Sequence, residues 1–248
     1  MAVGCVVALN LALIGGEIFY VARGAFLDGR AAPPSPSGYG DPRSPVIQLA
    51  LLGDSTAAGV GASTSDATVA GGLGRLLVEP PGRRVELVSV AVSGADSTDL
   101  SAQTTRLLAH HKEMDVAIVL VGANDVTHLT ALDDVQRTTE TTVRRLRAAG
   151  LAVVVGTCPD MGTSTAIPQP LREISAWRGR AVGAAQRAAV ADAGGVAVDL
   201  EELTGPAFRA DQALLASDRY HPSDRGYRLW VEALAPAVIR AGQKPGLR

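Results

Sequence analysis

The chain has 248 residues, 47% of them hydrophobic and 19% charged, which is enough apolar material for one sizeable α/β domain or two small ones and too much for a disordered chain. A formal net charge of −2 without any run of Lys or Arg excludes the electrostatic footprint of a nucleic-acid-binding protein. Two cysteines, Cys5 and Cys158, are too few for a disulfide framework or a zinc site.

The first element in chain order is a hydrophobic stretch, Val3 to Ala22, about long enough to span a bilayer core of roughly 30 Å, although Asn10 and Glu17 interrupt it. It reads as a signal or anchor segment over residues 1–23 and implies an exported or membrane-anchored protein with membrane contact through residues 3–22. Charge placement argues the other way, because no Lys or Arg precedes Val3 whereas Arg23, Arg30 and Arg43 follow the stretch. Residues 24–44 include AAPPSPSGYGDP and, being rich in Pro, Gly and Ser, read as a linker or stalk ahead of a domain over 45–248.

Within that domain, short β-branched runs alternate with helical patterns. Runs at Val46 to Leu52, Val85 to Val92, Val116 to Val121, Leu151 to Val155 and Val196 to Leu200 are nearly continuous, as in strands buried on both faces. Val135, Thr139, Val143 and Leu146 recur at three- and four-residue steps, and Ile174 to Ala193 is Ala-rich with Arg at intervals. A last helix from about Asp224 carries Tyr227, Trp230, Val231 and Leu234 on one side, with Pro236 expected to kink or end it. The alternation predicts an α/β fold: a single doubly wound, five-stranded parallel sheet with helices on both faces, a flavodoxin-like three-layer α/β/α arrangement.

In such a sheet, ligands bind beyond the carboxyl ends of the strands. Gly53-Asp54-Ser55 follows the first run, Ser93-Gly94 the second and Gly122-Ala123-Asn124-Asp125 the third, while Asp218-Arg219-Tyr220-His221 lies between the fifth run and the last helix. Ser55 is open to two readings. A serine after a strand caps the next helix, and it is also a hydroxyl beside backbone donors able to hold an oxyanion. A serine nucleophile needs a base, and the chain has four histidines. His110 and His111 close a helical stretch and read as surface residues. His221 follows Asp218 by three residues, a spacing that lets the carboxylate reach Nδ1 and leaves Nε2 for a serine proton. His128 stands three residues after Asp125 and competes. His221 is preferred because Asp125 directly follows Asn124, a residue type that supplies an oxyanion donor. The loop CPDMGTSTAIPQP, Cys158 to Pro170, is long, partly apolar and on the same edge, so it either lines a substrate pocket or is an ordinary connection.

The set GDST, SGAD, GAND and DRYH, in this order from about Val46 to Trp230, resembles the SGNH (GDSL-like) hydrolase superfamily. The resemblance implies a serine ester hydrolase, carboxylesterase- or lipase-like or an O-deacetylase, that needs no cofactor or metal and acts on a small-molecule, lipid or glycan ester. It implies Ser55 as nucleophile, Asp218 and His221 as its partners, and an oxyanion hole from the Ser55 and Gly94 N–H groups and the Asn124 side chain. Two positions depart from the pattern: Thr56 stands for the Leu of the GDSL label, and Val92 for the Asn often found two residues before the glycine of the second block. Two other classes stay open. One is a metal-dependent phosphoryl-transfer domain with Asp54, Asp125 and Asp160 around Mg²⁺, and the other is a relative that binds ligand without turnover.

Overall fold

A computed structural model describes residues 16–17, 26–78, 83–110 and 113–243. Apart from residues 16 and 17, the hydrophobic stretch at 3–22 lies outside the described residues. Among the described residues, no helix is long and apolar enough to cross a membrane.

The sheet is built from β1 (Gly38–Tyr39), β2 (Val46–Gly53), β3 (Arg84–Ser89), β4 (Val116–Leu120), β5 (Ala152–Gly156) and β6 (Val196–Val198), in the order β1-β3-β2-β4-β5-β6. The last five are parallel and reproduce the flavodoxin-like order. The expectation of five strands is corrected to six. The extra strand, β1, comes from inside the span read as a linker and runs antiparallel to β3, pairing Gly38 with Glu86 and Tyr39 with Val85. Two residues carry too short a pattern to announce a strand. They are held by the exposed edge of β3, which the pairing covers.

Alternation along the strands divides the core. Leu49, Leu51, Ile118, Leu120 and Val154 point to one face, where α2 (Val69–Leu77) and α8 (Asp224–Ala241) cover them. Ala50, Leu52, Val119, Val153 and Val155 point to the other, under α3 (Leu100–Leu108), α5 (Leu132–Ala148) and α6 (Leu171–Asp192). The apolar spacing read from the sequence is the buried stripe of α5, in which Val135, Thr139, Val143 and Leu146 are all buried. Helix α8 runs through Pro236 to Ala241 instead of ending there. The proline lies on the solvent side, so the Glu232 carbonyl that loses its donor also faces water, while Leu234, Ala235, Ala237 and Val238 stay packed.

In this strand order the direction of winding reverses between β2 and β4. The loops that follow them carry Ser55 and Asn124, and the crevice between the two is where such sheets take their ligands.

Candidate active site

Ser55 opens the short helix α1 (Ser55–Ala58) directly after β2. Asp54, rather than Ser55, is the cap: its carboxylate accepts from the Thr56 N–H at 2.8 Å and the Thr56 hydroxyl at 2.7 Å. Burial pushes the Asp54 carboxyl up against the pull of those two bonds. With capping assigned to its neighbour, the Ser55 hydroxyl is free to face the site. The turn that places it depends on Gly53 at φ +133, where a Cβ would come within 1.8 Å of the Leu120 carbonyl oxygen. Gly122, at φ +143, does the same ahead of Asn124, since a Cβ there would lie 2.7 Å from that of Cys158.

The Ser55 Oγ lies 2.9 Å from His221 Nε2, across 166 positions of chain, and His221 Nδ1 lies 2.6 Å from Asp218 Oδ2. The Asp218 Oδ1 accepts from the Tyr220 and His221 N–H groups at 3.0 and 3.1 Å, so its own turn wraps the carboxylate. That turn is braced by Ala216 N–H donating to the His221 carbonyl and by Ser164 Oγ donating to the Arg219 carbonyl, both at 2.8 Å. Burial raises the Asp218 carboxyl, but bonds from His221, Leu27 and Tyr220 outweigh it and hold the group at about 2. An ionised Asp218 accepts from Nδ1–H, which leaves Nε2 as acceptor for the serine proton. The set can therefore strip a proton from Ser55 and stabilise the imidazolium that results.

His128 does not compete for Ser55. Its Nδ1 lies 3.1 Å from Asp96 Oδ2, and its side chain is 51% exposed. Asp125, the partner expected for it, is instead buried and accepts from the Ser97 N–H and hydroxyl. His110 is exposed as expected, and His111 lies outside the described residues.

The oxyanion candidates meet from two loops. Gly94, at φ +86, occupies the third place of a turn closed by Ala95 N–H to the Val92 carbonyl at 3.1 Å, the place where a type II turn needs a glycine. The Val92 N–H in turn reaches the Gly53 carbonyl at 3.0 Å, which sets this turn beside the start of α1. Among the described residues the Gly94 N–H meets no acceptor, and the Ser55 N–H, first in its helix, has none within the helix. The Asn124 amide gives one N–H to the Ala95 carbonyl at 2.8 Å, tying the two loops together and leaving its other N–H unassigned.

The carboxylates proposed for a metal are engaged elsewhere. Asp54 caps α1, Asp125 takes Ser97, and Asp160 is paired with Arg209 through bonds of 2.6 and 2.8 Å. Among the described residues no group of three or more His, Cys, Asp or Glu side chains is placed to share an ion. Burial pushes the Cys158 thiol well up, so its thiolate is no rival nucleophile.

A cleft opens at Ser55 and His221, with Pro159, Met161, Phe208, Leu215 and Trp230 among its walls. The Cys158–Pro170 loop supplies two of these residues, which makes it a wall of the cleft and not a plain connection.

Two buried glutamines escaped the sequence reading. Gln103 takes the Gly53 N–H on its Oε1 at 2.7 Å and returns an N–H to the Gly53 carbonyl at 2.9 Å. Gln186 treats the Cys158 N–H and the Val121 carbonyl in the same way, at 2.7 and 2.9 Å. Each side chain completes the sheet where a strand ends before a site loop. The available signal was a polar residue within an apolar helical stripe: Leu100, Gln103, Leu107 in one case and Val182, Gln186, Val190 in the other.

The sequence model of the GDSL-like Lipase/Acylhydrolase family matches residues 51–229, which contain Ser55, Gly94, Asn124, Asp218 and His221. The chain belongs to that family. A GDSL-like esterase of Mycobacterium tuberculosis is 41% identical over 193 residues, covering 77% of this chain; the match spans 62% of that relative's length. Among solved structures, TesA superposes with a TM-score of 0.64 at 20% identity, covering 78% of this chain and 99% of TesA. Axe2, an acetylxylan esterase from Geobacillus stearothermophilus, superposes with a TM-score of 0.57 at 20% identity, covering 83% of this chain and 98% of Axe2. These superpositions establish the three-layer fold that this GDSL-like chain shares with them.

Proposed function

We propose that this GDSL-like protein is a serine ester hydrolase that works through an acyl-enzyme on Ser55. The observation that carries the reading is the hydrogen-bonded line from Ser55 Oγ through His221 to Asp218, at 2.9 and 2.6 Å. In the first step His221 Nε2 takes the Ser55 proton as Oγ attacks the ester carbonyl carbon. The oxyanion then forms beside the Ser55 and Gly94 N–H groups and the Asn124 amide. Collapse of the tetrahedral adduct expels the alcohol, which takes its proton from His221. Water, deprotonated by the same nitrogen, attacks the acyl-enzyme and releases the acid and Ser55. Asp218 stays ionised throughout and keeps the imidazole in the required tautomer.

The cleft beside Ser55 supports an ester whose acyl or alcohol part is apolar, since Pro159, Met161, Phe208, Leu215 and Trp230 stand among its walls. The test is a series of nitrophenyl esters of rising acyl length, together with acetylated sugars, offered to the wild type and to Ser55→Ala. The expected result is turnover of esters with an apolar acyl part that drops to background in Ser55→Ala. Equal hydrolysis by both proteins would refute the nucleophile.

A further inference from the structure

Asp218 has four donors, and one of them does not belong to its turn. The Leu27 N–H reaches Asp218 Oδ2 at 3.1 Å from 191 positions away, on the same oxygen that faces His221 Nδ1. Residues 26–37, inside the span expected to be a linker, touch the body of the protein at several points. The Phe26 ring meets Tyr220 edge-on, with centroids 5.0 Å apart, and Tyr220 meets His221 in the same manner at 5.2 Å. A Cβ on Gly29 would touch the Ser93 Cβ at 3.1 Å, so the strap also abuts the turn that carries Gly94. Farther on, the Pro34 carbonyl accepts from Ser65 Oγ at 2.7 Å and the Ser37 carbonyl accepts from the Leu87 N–H at 3.1 Å, where the strap enters β1.

We infer that residues 26–37 are a positioning strap of the catalytic site, with the Leu27 backbone N–H orienting the Asp218 carboxylate and Gly29 bracing the Ser93-Gly94 turn. The inference rests on the Ser55-His221-Asp218 reading above. The Asp218 side chain is 1% exposed, so no solvent molecule stands ready to replace a missing donor, and an Oδ2 with one bond fewer is free to rotate away from Nδ1. A carboxylate turned away from Nδ1 also supports the His221 imidazolium less, so the acidic limb of kcat/KM moves to lower pH. The other titratable side chains close to the pair, Asp54, Tyr220 and Tyr227, are unaltered by the changes below.

The experiment uses the full chain and a short-acyl nitrophenyl ester. Leu27→Pro removes the N–H, Leu27→Ala keeps it, and Gly29→Val, at an exposed position, wedges the strap away from Ser93 while keeping the Leu27 donor. Ser55→Ala is run beside them, and folding is checked by thermal unfolding. Leu27→Pro should lose roughly 10-fold to 100-fold in kcat, the range of a hydrogen bond to a charged group felt in the transition state. KM should hold and the acidic limb should move down, while Leu27→Ala matches the wild type. Gly29→Val should lower kcat in the same direction, and it decides the matter if Leu27→Pro does not fold. Folded Leu27→Pro and Gly29→Val with wild-type kcat and pH profile, beside an inactive Ser55→Ala, would overturn the strap alone. An active Ser55→Ala would overturn the parent reading.

Discussion

Replacing Gln103 by Leu should destabilise the protein far more than the loss of one polar side chain suggests. Gln103 is 1% exposed and holds both backbone groups of Gly53, the residue two places before Ser55. Leucine fills nearly the same space but offers no acceptor, so the Gly53 N–H is left buried without a partner at a cost of about 1–3 kcal/mol. The Gly53 carbonyl keeps its bond from the Val92 N–H and forfeits only the second, for about 0.5–1.5 kcal/mol more. The sum is about 2–4 kcal/mol, which in a domain of this size lowers Tm by roughly 5–15 °C. The adjacent Thr104 is the internal control. It is equally buried, and its hydroxyl has no hydrogen-bond partner among the described residues, so Thr104→Val should be neutral or stabilising. Urea unfolding of the three proteins gives the comparison. If Gln103→Leu costs under about 0.5 kcal/mol, or no more than Thr104→Val, the side-chain amide is not what completes the end of β2.

His221→Ala should reduce turnover by at least about 10⁴-fold while His128→Ala keeps it, since only His221 reaches Ser55; steady-state rates on one ester compare them. Asn124→Ala should lower kcat by about 100-fold to 1000-fold with a smaller change in KM, and turnover that stays above the Ser55→Ala background identifies it as an oxyanion donor. Burial pushes the Asp125 carboxyl up to about 6, against the pull of its Ser97 bonds. From its unfolded value near pH 4 up to about pH 6, the native state then holds a proton that the unfolded chain has lost. Stability should therefore fall across that window by on the order of 3 kcal/mol through this group, and not beyond it. Denaturation midpoints at pH 4.5 and 7 should differ less in Asp125→Asn than in the wild type.

The alternation of β-branched runs with helical stripes was enough to determine five parallel strands, their helices and the edge on which the chemistry gathers. It suffices because burial on both faces imposes an apolar run that local sequence cannot disguise. Ser55, Gly94 and Asn124 were legible as residues just after strands, while Asp218 and His221, in the segment before the last helix, were marked by their Asp-x-x-His spacing; the resemblance to a known family then implied the roles of the set. Other features depended on partners far away in the chain. Whether Ser55 capped a helix or faced His221 turned on which of two neighbours, Asp54 or Ser55, the backbone aimed at Thr56. His221 and His128 carry the same Asp-x-x-His spacing, and only the packing of the Asp96 loop and the Ser97 turn sends Asp125 and His128 to different partners. The Pro/Gly/Ser composition of residues 24–44 read as a stalk because such residues form little structure alone. Part of that span instead forms a sixth strand on the β3 edge, and the Leu27 N–H within it donates to a buried carboxylate far along the chain. A hydrogen bond across 191 positions leaves no mark on local composition, and only the folded chain brings its two ends together.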